Sequence, residues 1–274
     1  MEQYLLNLPK HYYFWGCVGF LIGTTLSVYN ITRTGIRFRV AVVMMAAAIW
    51  GGLVGSRLLF LIEKDRLHSL ADLARVFLVW KGGLSWLAGP PLGALAAAVV
   101  LLLARAPVME SLGAAFPGIA LSHAVSRIGC LVHGCCYGRP TTLPWAIYSE
   151  RLQTYVHPTQ VYSMLAELIV AATLQVLFRK PPLRKYLFPL YGILLASHRF
   201  VTESFRGTSP GPELITGLRF HQSICILVLA VSICGLALLW DRKRGLLISG
   251  LVAASTGIFF TVFNPASVSA FVPK

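Results

Sequence analysis

The chain has 274 residues, of which 56% are hydrophobic and only 12% are charged, and its mean hydropathy is +0.70. So few charged side chains cannot cover the surface of a soluble protein, and the composition therefore predicts a polytopic membrane protein. It excludes a disordered chain, a small domain held by disulfides and a soluble dinucleotide-binding enzyme. The net charge of +14 is expected in cytoplasmic loops and at sites for anionic head groups. We therefore expect membrane lipid as a partner, and no nucleic acid.

A membrane-crossing helix needs about 20 largely apolar residues. The first apolar stretch lacks the basic start and the cleavage site of a signal peptide, so we expect it to remain in the mature protein. We predict an all-α polytopic fold with seven to eight transmembrane helices around a polar, arginine-lined cavity, in a single integral membrane domain over residues 1–274. In chain order the candidate spans are residues 13–31, 39–62, 87–104, 112–131, 158–178, 186–205, 219–240 and 245–263.

Basic residues cluster in the loops that follow spans one, three, five and seven. Because these loops alternate, they share one face, which the positive-inside rule makes cytoplasmic. The N-terminus is then extracytoplasmic, together with loops 63–86, 132–157 and 206–218. The basic residues that carry this argument are Arg33, Arg37, Arg39, Arg105, Arg179, Lys180, Arg184, Lys185, Arg242, Lys243 and Arg244.

Six charged residues fall within or at the ends of the predicted spans. Inserting one arginine into the centre of a membrane costs about 2.5 kcal/mol or more, and charged residues within spans therefore normally face a polar interior. Taken singly, each is equally compatible with a snorkelling helix end or a structural ion pair. Together they predict a cavity with surplus positive charge, which suits a phospholipid phosphate. They are Arg57, Arg127, Glu167, Arg199, Glu203 and Arg206.

Several local motifs carry polar chemistry. The run 126–138 has three glycines that allow tight turns, and Arg127 supplies a planar fork for a phosphate. Segment 157–162 opens span five, and residues 199–206 stack three charges on one helix face. Segment 82–91 holds so many helix breakers that we expect a re-entrant or capping loop instead of a plain helix start.

In this order the motifs resemble the prolipoprotein diacylglyceryl transferase family over about residues 12–207. The resemblance implies a family-like core at about 12–240, with 245–263 as an extra span. It also implies transfer of a diacylglyceryl group from phosphatidylglycerol to the lipobox cysteine thiol of a preprolipoprotein signal peptide, at the outer face of the bacterial inner membrane. No cofactor or metal is required. The matching elements are Gly55-Ser-Arg57-Leu, Gly82-Gly-Leu-Ser-Trp86, Arg127-Ile-Gly129, His157-Pro-Thr-Gln-Val-Tyr162 and the Arg199/Glu203/Arg206 group.

The resemblance implies roles for individual residues, and this chain departs from the family pattern at four of them. Leu87 replaces the family's catalytic histidine, Cys130 and Cys135 replace an asparagine and a glutamate, and Trp15 stands near a family tyrosine. Because imidazole suits proton transfer near neutral pH, His133 or His157 is the candidate replacement for the base, unless both only form hydrogen bonds in the loop. The predicted catalytic residues are Arg127, Arg199, His133 and His157, and the predicted substrate-binding residues are Arg57, Arg127, Gln160, Tyr162, Glu203 and Arg206.

Three other functions stay open from the residues alone. One is a catalytically altered relative that binds or transfers other phospholipids, and another is an anion transporter, although no paired broken helices are visible. The third is a thiol-redox or metal protein, because Cys130, His133, Cys135 and Cys136 offer four soft ligands. Their spacing argues against it: neighbouring cysteines seldom share one zinc, and no Cys-x-x-Cys pair is present.

Overall fold

The computed structural model describes residues 12–64, 70–78, 83, 85, 88–207, 213–215 and 218–239. Short 3₁₀ segments span Leu70–Phe77 and Pro181–Tyr186, and two short antiparallel hairpins pair β1 (Ile147–Ser149) with β2 (Thr154–Val156) and β3 (Glu213–Ile215) with β4 (Leu218–Arg219). The α-helices in this part of the chain are α1 (Tyr12–Thr32), α2 (Phe38–Glu63), α3 (Gly89–Leu103), α4 (Val108–Val132), α5 (Thr159–Phe178), α6 (Leu187–Ser204) and α7 (Phe220–Leu239).

These helices confirm the predicted all-α membrane fold, and they coincide with the first seven predicted spans. By length and composition α1, α2, α4, α5 and α7 can each cross a membrane, whereas α3 is apolar but has only 15 residues. The eighth predicted span, residues 245–263, lies outside the described residues. One local prediction was wrong: Gly89, Pro90 and Pro91 begin α3, because proline fits the first helical turn, where no intrahelical N–H bond is needed.

The chain divides into two compact units, with boundaries inside α1 and α4; one is Val28–Ala115, and the other combines Met1–Ser27 with Phe116–Lys274. The prediction of a single domain stays a prediction. In Val28–Ala115, glycines bring α2 and α3 close together. A Cβ on Gly51 would lie 2.7 Å from the Cβ of Ala96, and one on Gly93 would lie 2.7 Å from the carbonyl oxygen of Ala48. Small residues at such spacing are a common way to pack membrane helices.

In the second unit, α1 and α4 also meet through small residues. A Cβ on Gly19 would lie 2.7 Å from the carbonyl oxygen of Ser122, and one on Gly23 would lie 2.5 Å from that of Gly118. The close approach continues to the end of α4, where a Cβ on Gly129 would lie 3.2 Å from the Cβ of Trp15. This packing fixes the end of α4 that carries Arg127 and leads into the 133–157 loop.

Candidate functional site

The last turn of α4 ends in a left-handed glycine cap. Gly134 has φ +67°, its N–H donates to the carbonyl of Leu131 at 3.1 Å, and the N–H of Cys135 donates to the carbonyl of Cys130 at 3.1 Å. This pair of bonds is the Schellman arrangement, which satisfies helix-end carbonyls and brings the first and last side chains of the motif together. The cap therefore turns the chain so that Cys135 lies back over Cys130.

The start of α5 holds the turn that follows this cap. Gln160 donates its Nε2–H to the carbonyl of Cys135 at 2.6 Å, and the hydroxyl of Thr159 donates to the carbonyl of Cys136 at 2.5 Å. Both donors are buried. Because these bonds reach main-chain carbonyls, they fix the path of the turn whatever the side chains at those positions are.

Three segments meet at Gly138. Its N–H donates to the carbonyl of His157 at 2.9 Å, and the neighbouring N–H of Arg139 donates to the carbonyl of Phe205 at 2.9 Å. Gly138 also forms an isolated antiparallel bridge with Arg206. A Cβ at Gly138 would lie 2.5 Å from the Cβ of His157, 2.7 Å from its carbonyl oxygen and 2.8 Å from that of Phe205. Only glycine permits this approach, which joins the α4–α5 loop to the end of α6.

The charged face of α6 is organised by one buried carboxylate. Glu203 is fully buried, and its Oε2 lies 3.6 Å from an Arg199 nitrogen and 3.4 Å from an Arg206 nitrogen. His221 of α7 lies 3.9 Å from the other oxygen. Arg127 of α4 and Arg206 both lie within electrostatic range of Arg199. Two arginines thus flank a single carboxylate, a third lies within electrostatic range of one of them, and the group has surplus positive charge.

Three thiols lie beside this charged group. The side chain of Arg127 approaches the sulfur of Cys130 at 3.9 Å. The hydrogen bond from Cys130, aided by Arg206 and Arg127, lowers the pKa of Cys136 to about 5 against the opposing effect of burial. Burial, together with the charge of its neighbour, raises the pKa of Cys135. One thiolate therefore lies next to the arginines at neutral pH.

His157 and Tyr162 form a second polar group at the start of α5. Trp145 donates its indole N–H to the Tyr162 hydroxyl at 2.8 Å, and Nδ1 of His157 lies 3.3 Å from the same oxygen. The half-buried His157 ring packs 5.1 Å from that of Phe205. Burial and the nearby positive charge of Arg139 lower the pKa of His157, so its imidazole is neutral near pH 7. Trp145 was missed in the sequence because no local pattern marks a tryptophan 17 residues from its partner.

The two remaining predicted site residues lie elsewhere. His133 is exposed, with its ring 5.8 Å from that of Tyr12. Arg57 belongs to the unit Val28–Ala115, where it is buried, donates to the carbonyl of Gly83 at 3.1 Å and lies 5.5 Å from the centre of the Phe60 ring. Gly83, which lies before α3, is thus tied to α2. Leu87 lies outside the described residues.

Glu167 belongs to a separate buried network. Its Oε1 lies 3.1 Å from Nε2 of His198 and 3.7 Å from Nδ1 of His123, and the Tyr191 hydroxyl lies 3.2 Å from the same His123 nitrogen. The network joins α4, α5 and α6. In the described part of the chain Glu167 therefore pairs with histidines, whereas Glu203 is the carboxylate that pairs with arginines.

A model of the family described as prolipoprotein diacylglyceryl transferase matches residues 5–239. The chain belongs to this family. A phosphatidylglycerol–prolipoprotein diacylglyceryl transferase of Clostridium tetani is 28% identical over 200 residues, 69% of this chain and 77% of the relative. Relatives of the same name from Nostoc sp. (27% over 239 residues, 82% and 83%) and Nitratidesulfovibrio vulgaris (34% over 212 residues, 74% and 76%) are also similar. The predicted family and transferase class are confirmed, and the chain is a multi-pass bacterial membrane protein.

Proposed function

We propose that this protein transfers a diacylglyceryl group from phosphatidylglycerol to the lipobox cysteine thiol of a preprolipoprotein. The relatives carry both substrates in their names. The observation that carries the proposal is that Arg199 and Arg206 flank the buried Glu203, with Arg127 within electrostatic range of Arg199, beside the loop that follows α4. This group combines the charge and the forked donors that a lipid phosphate requires.

The reaction breaks the bond between a glycerol carbon and a phosphate oxygen. The acceptor thiolate attacks that carbon, a thioether forms, and the electron pair of the broken bond stays on the departing glycerol phosphate. Negative charge therefore grows on the phosphate, where preorganised cationic donors lower the barrier most. In this proposal Arg127, Arg199 and Arg206 stabilise the leaving group. Glu203 keeps two of them in place, and Gln160 and Tyr162 contribute to substrate binding.

We assign the proton acceptor to His157 in preference to His133. Since the pKa of His157 is lowered, its imidazole is free to take a proton from the incoming thiol at neutral pH. It packs against Gly138, which is bridged to Arg206. His133 is exposed, with its ring near Tyr12. The acceptor thiol, with a usual pKa of about 8.5, is further acidified by nearby arginines.

We further propose that the reaction occurs at the outer face of the bacterial inner membrane, with the N-terminus extracytoplasmic. The alternation of basic loops supports this orientation. In intact cells a membrane-impermeant thiol reagent should label Cys135 or Cys136. In a cysteine-free background a cysteine replacing the exposed Lys180 should stay protected. Labelling of Lys180→Cys with protection of both native cysteines would reverse the orientation.

The decisive test measures lipidation of a lipobox peptide by purified protein and rescue of a strain depleted of its own transferase. We expect activity in the wild type, its loss in His157→Ala and its retention in His133→Ala. Replacing Arg127, Arg199 or Arg206 by lysine should reduce kcat by about 10²-fold, because an ammonium group lacks the bidentate fork of a guanidinium. No wild-type activity with a gain in Leu87→His would instead identify an altered relative that keeps the lipid site. Anion flux without lipidation would favour an anion transporter, and thiol oxidation without lipidation would favour a thiol-redox protein.

A further inference from the structure

The three cysteines that follow Arg127 form a compact sulfur cluster. The sulfurs of Cys130, Cys135 and Cys136 all lie within 4.8 Å of one another. Cys130 is buried and the other two are half-buried, and all three are free thiols. In the part of the chain that the structure describes, no histidine or carboxylate joins this group, and His133 is outside it.

The backbone explains why two neighbouring cysteines share one site. Adjacent side chains in an extended segment point to opposite sides, and neighbouring cysteines seldom share one zinc. Cys136 has φ +60°, however, so the chain reverses at this residue. The glycine cap at Gly134 brings Cys135 over Cys130 in the same turn. The cap and this left-handed residue together direct all three sulfurs to one point.

The cluster is also preorganised from outside. Gln160 and Thr159 hold the carbonyls of Cys135 and Cys136 at 2.6 and 2.5 Å. The sulfurs are thus close together before any ion arrives, and a site that is already formed loses less conformational entropy on binding. A three-coordinate ion with metal–sulfur bonds of about 2.3 Å requires sulfurs about 4 Å apart, within the 4.8 Å limit found here.

The charges around the cluster select the kind of ion. Three thiolates with a monovalent cation carry a charge of −2. The adjacent cations are Arg127, 3.9 Å from the Cys130 sulfur, and Arg206, within electrostatic range of Cys136, so two positive charges lie where the complex needs them. Soft thiolate ligands favour Cu(I), which accepts three of them, whereas structural zinc sites take four.

We propose that Cys130, Cys135 and Cys136 form a three-coordinate, all-sulfur site for a soft monovalent ion such as Cu(I), beside the phosphate-binding arginines. No lipid chemistry is needed for this binding, so the site stands whether or not the transferase proposal does.

The test uses the full chain in detergent, reduced and free of oxygen, titrated with Cu(I) against a chromogenic Cu(I) chelator. We expect one ion per chain and at least about tenfold weaker binding in Cys130→Ser, Cys135→Ser and Cys136→Ser, since even indirect ligand contacts change metal affinity by 10–100-fold. The matched controls are Cys17→Ser and Cys234→Ser, which remove exposed thiols on α1 and α7 and should bind as the wild type does.

X-ray absorption of the copper-loaded wild type counts the ligands independently of any variant, so the proposal stays testable if a serine variant fails to fold. Three sulfur neighbours are expected. A nitrogen ligand, two sulfurs or four would overturn the proposal. It would also fail if Cu(I) binding survived all three serine substitutions, or if a disulfide between cysteines of the cluster resisted the reductant used to prepare the protein.

Discussion

Replacing Gly138 by alanine tests whether one tight backbone approach positions the whole site. The added methyl group would lie 2.5 Å from the Cβ of His157, 2.7 Å from its carbonyl oxygen and 2.8 Å from that of Phe205. These neighbours are main-chain atoms or a Cβ, so no flexible side-chain end can move aside. Overpacking costs about 1–3 kcal/mol, and the upper end is expected here because two backbone segments must shift.

The functional effect should exceed the loss of stability. A displacement of about 1 Å in a reacting group reduces catalysis by about 10²-fold. Gly138 contacts both the segment of His157 and that of Arg206, so a larger residue here would shift both segments. We therefore expect Gly138→Ala to fold with a lower free energy of unfolding and to lose about 10²-fold in lipidation rate. Thermal unfolding in detergent and the peptide lipidation assay measure the two effects.

Gly16→Ala is the matched control. A Cβ at Gly16 would have no neighbour within 4 Å, and alanine is favoured over glycine in a helix by up to about 1 kcal/mol. This variant should be as stable as the wild type or more so, and fully active. If Gly138→Ala behaved like Gly16→Ala in both assays, the three segments would not be held together as the structure has them.

Four further results are expected. Glu203→Gln removes the buried charge between two arginines and should destabilise the protein by about 3 kcal/mol, with Glu203→Asp less affected; an unchanged unfolding midpoint would contradict this. Tyr162→Phe leaves the indole N–H of Trp145 without its acceptor and should cost about 1–3 kcal/mol, measured by the same unfolding. Gln160→Leu removes the 2.6 Å donor to the Cys135 carbonyl and should speed alkylation of Cys135 and Cys136 by a thiol reagent; an unchanged alkylation rate would contradict this. Because the pKa of His157 is lowered, lipidation should persist at pH 6.5 and fall only in more acid solution; an acidic limb above pH 6.5 would exclude His157 as the base.

The sequence predicted what depends on local pattern. The lengths of the apolar runs located helices α1 to α7, and the spacing of Arg199, Glu203 and Arg206 brought both arginines to one carboxylate, although α6 ends at Ser204 and Arg206 follows it. The contacts across helices did not follow from such patterns. The histidine partners of Glu167 lie 44 and 31 residues away along the chain, and no periodicity distinguishes them from arginine as the partner.

Loop geometry was also beyond local pattern, for a physical reason. A non-glycine residue at φ +60° is uncommon, and at Cys136 this conformation occurs where Thr159 donates a hydrogen bond to its carbonyl. Propensity alone places adjacent cysteines on opposite sides of the chain. The spacing was weighed against a shared zinc site because neighbouring cysteines seldom bind one zinc, yet the sulfurs of Cys130, Cys135 and Cys136 lie within 4.8 Å of one another.

The way the loop is held explains how its side chains can differ from the family pattern. Gln160 and Thr159 bind carbonyl oxygens, and Gly138 meets its neighbours through main-chain atoms. None of these contacts depends on the side chain at Cys130 or Cys135, where the resemblance to the family implies an asparagine and a glutamate. Replacing those residues by cysteine therefore leaves the scaffold intact and changes only the chemistry presented to the arginines. An asparagine and a glutamate offer hard oxygen atoms at these positions, whereas two thiols offer soft sulfur, so the same backbone turn can serve a different ligand.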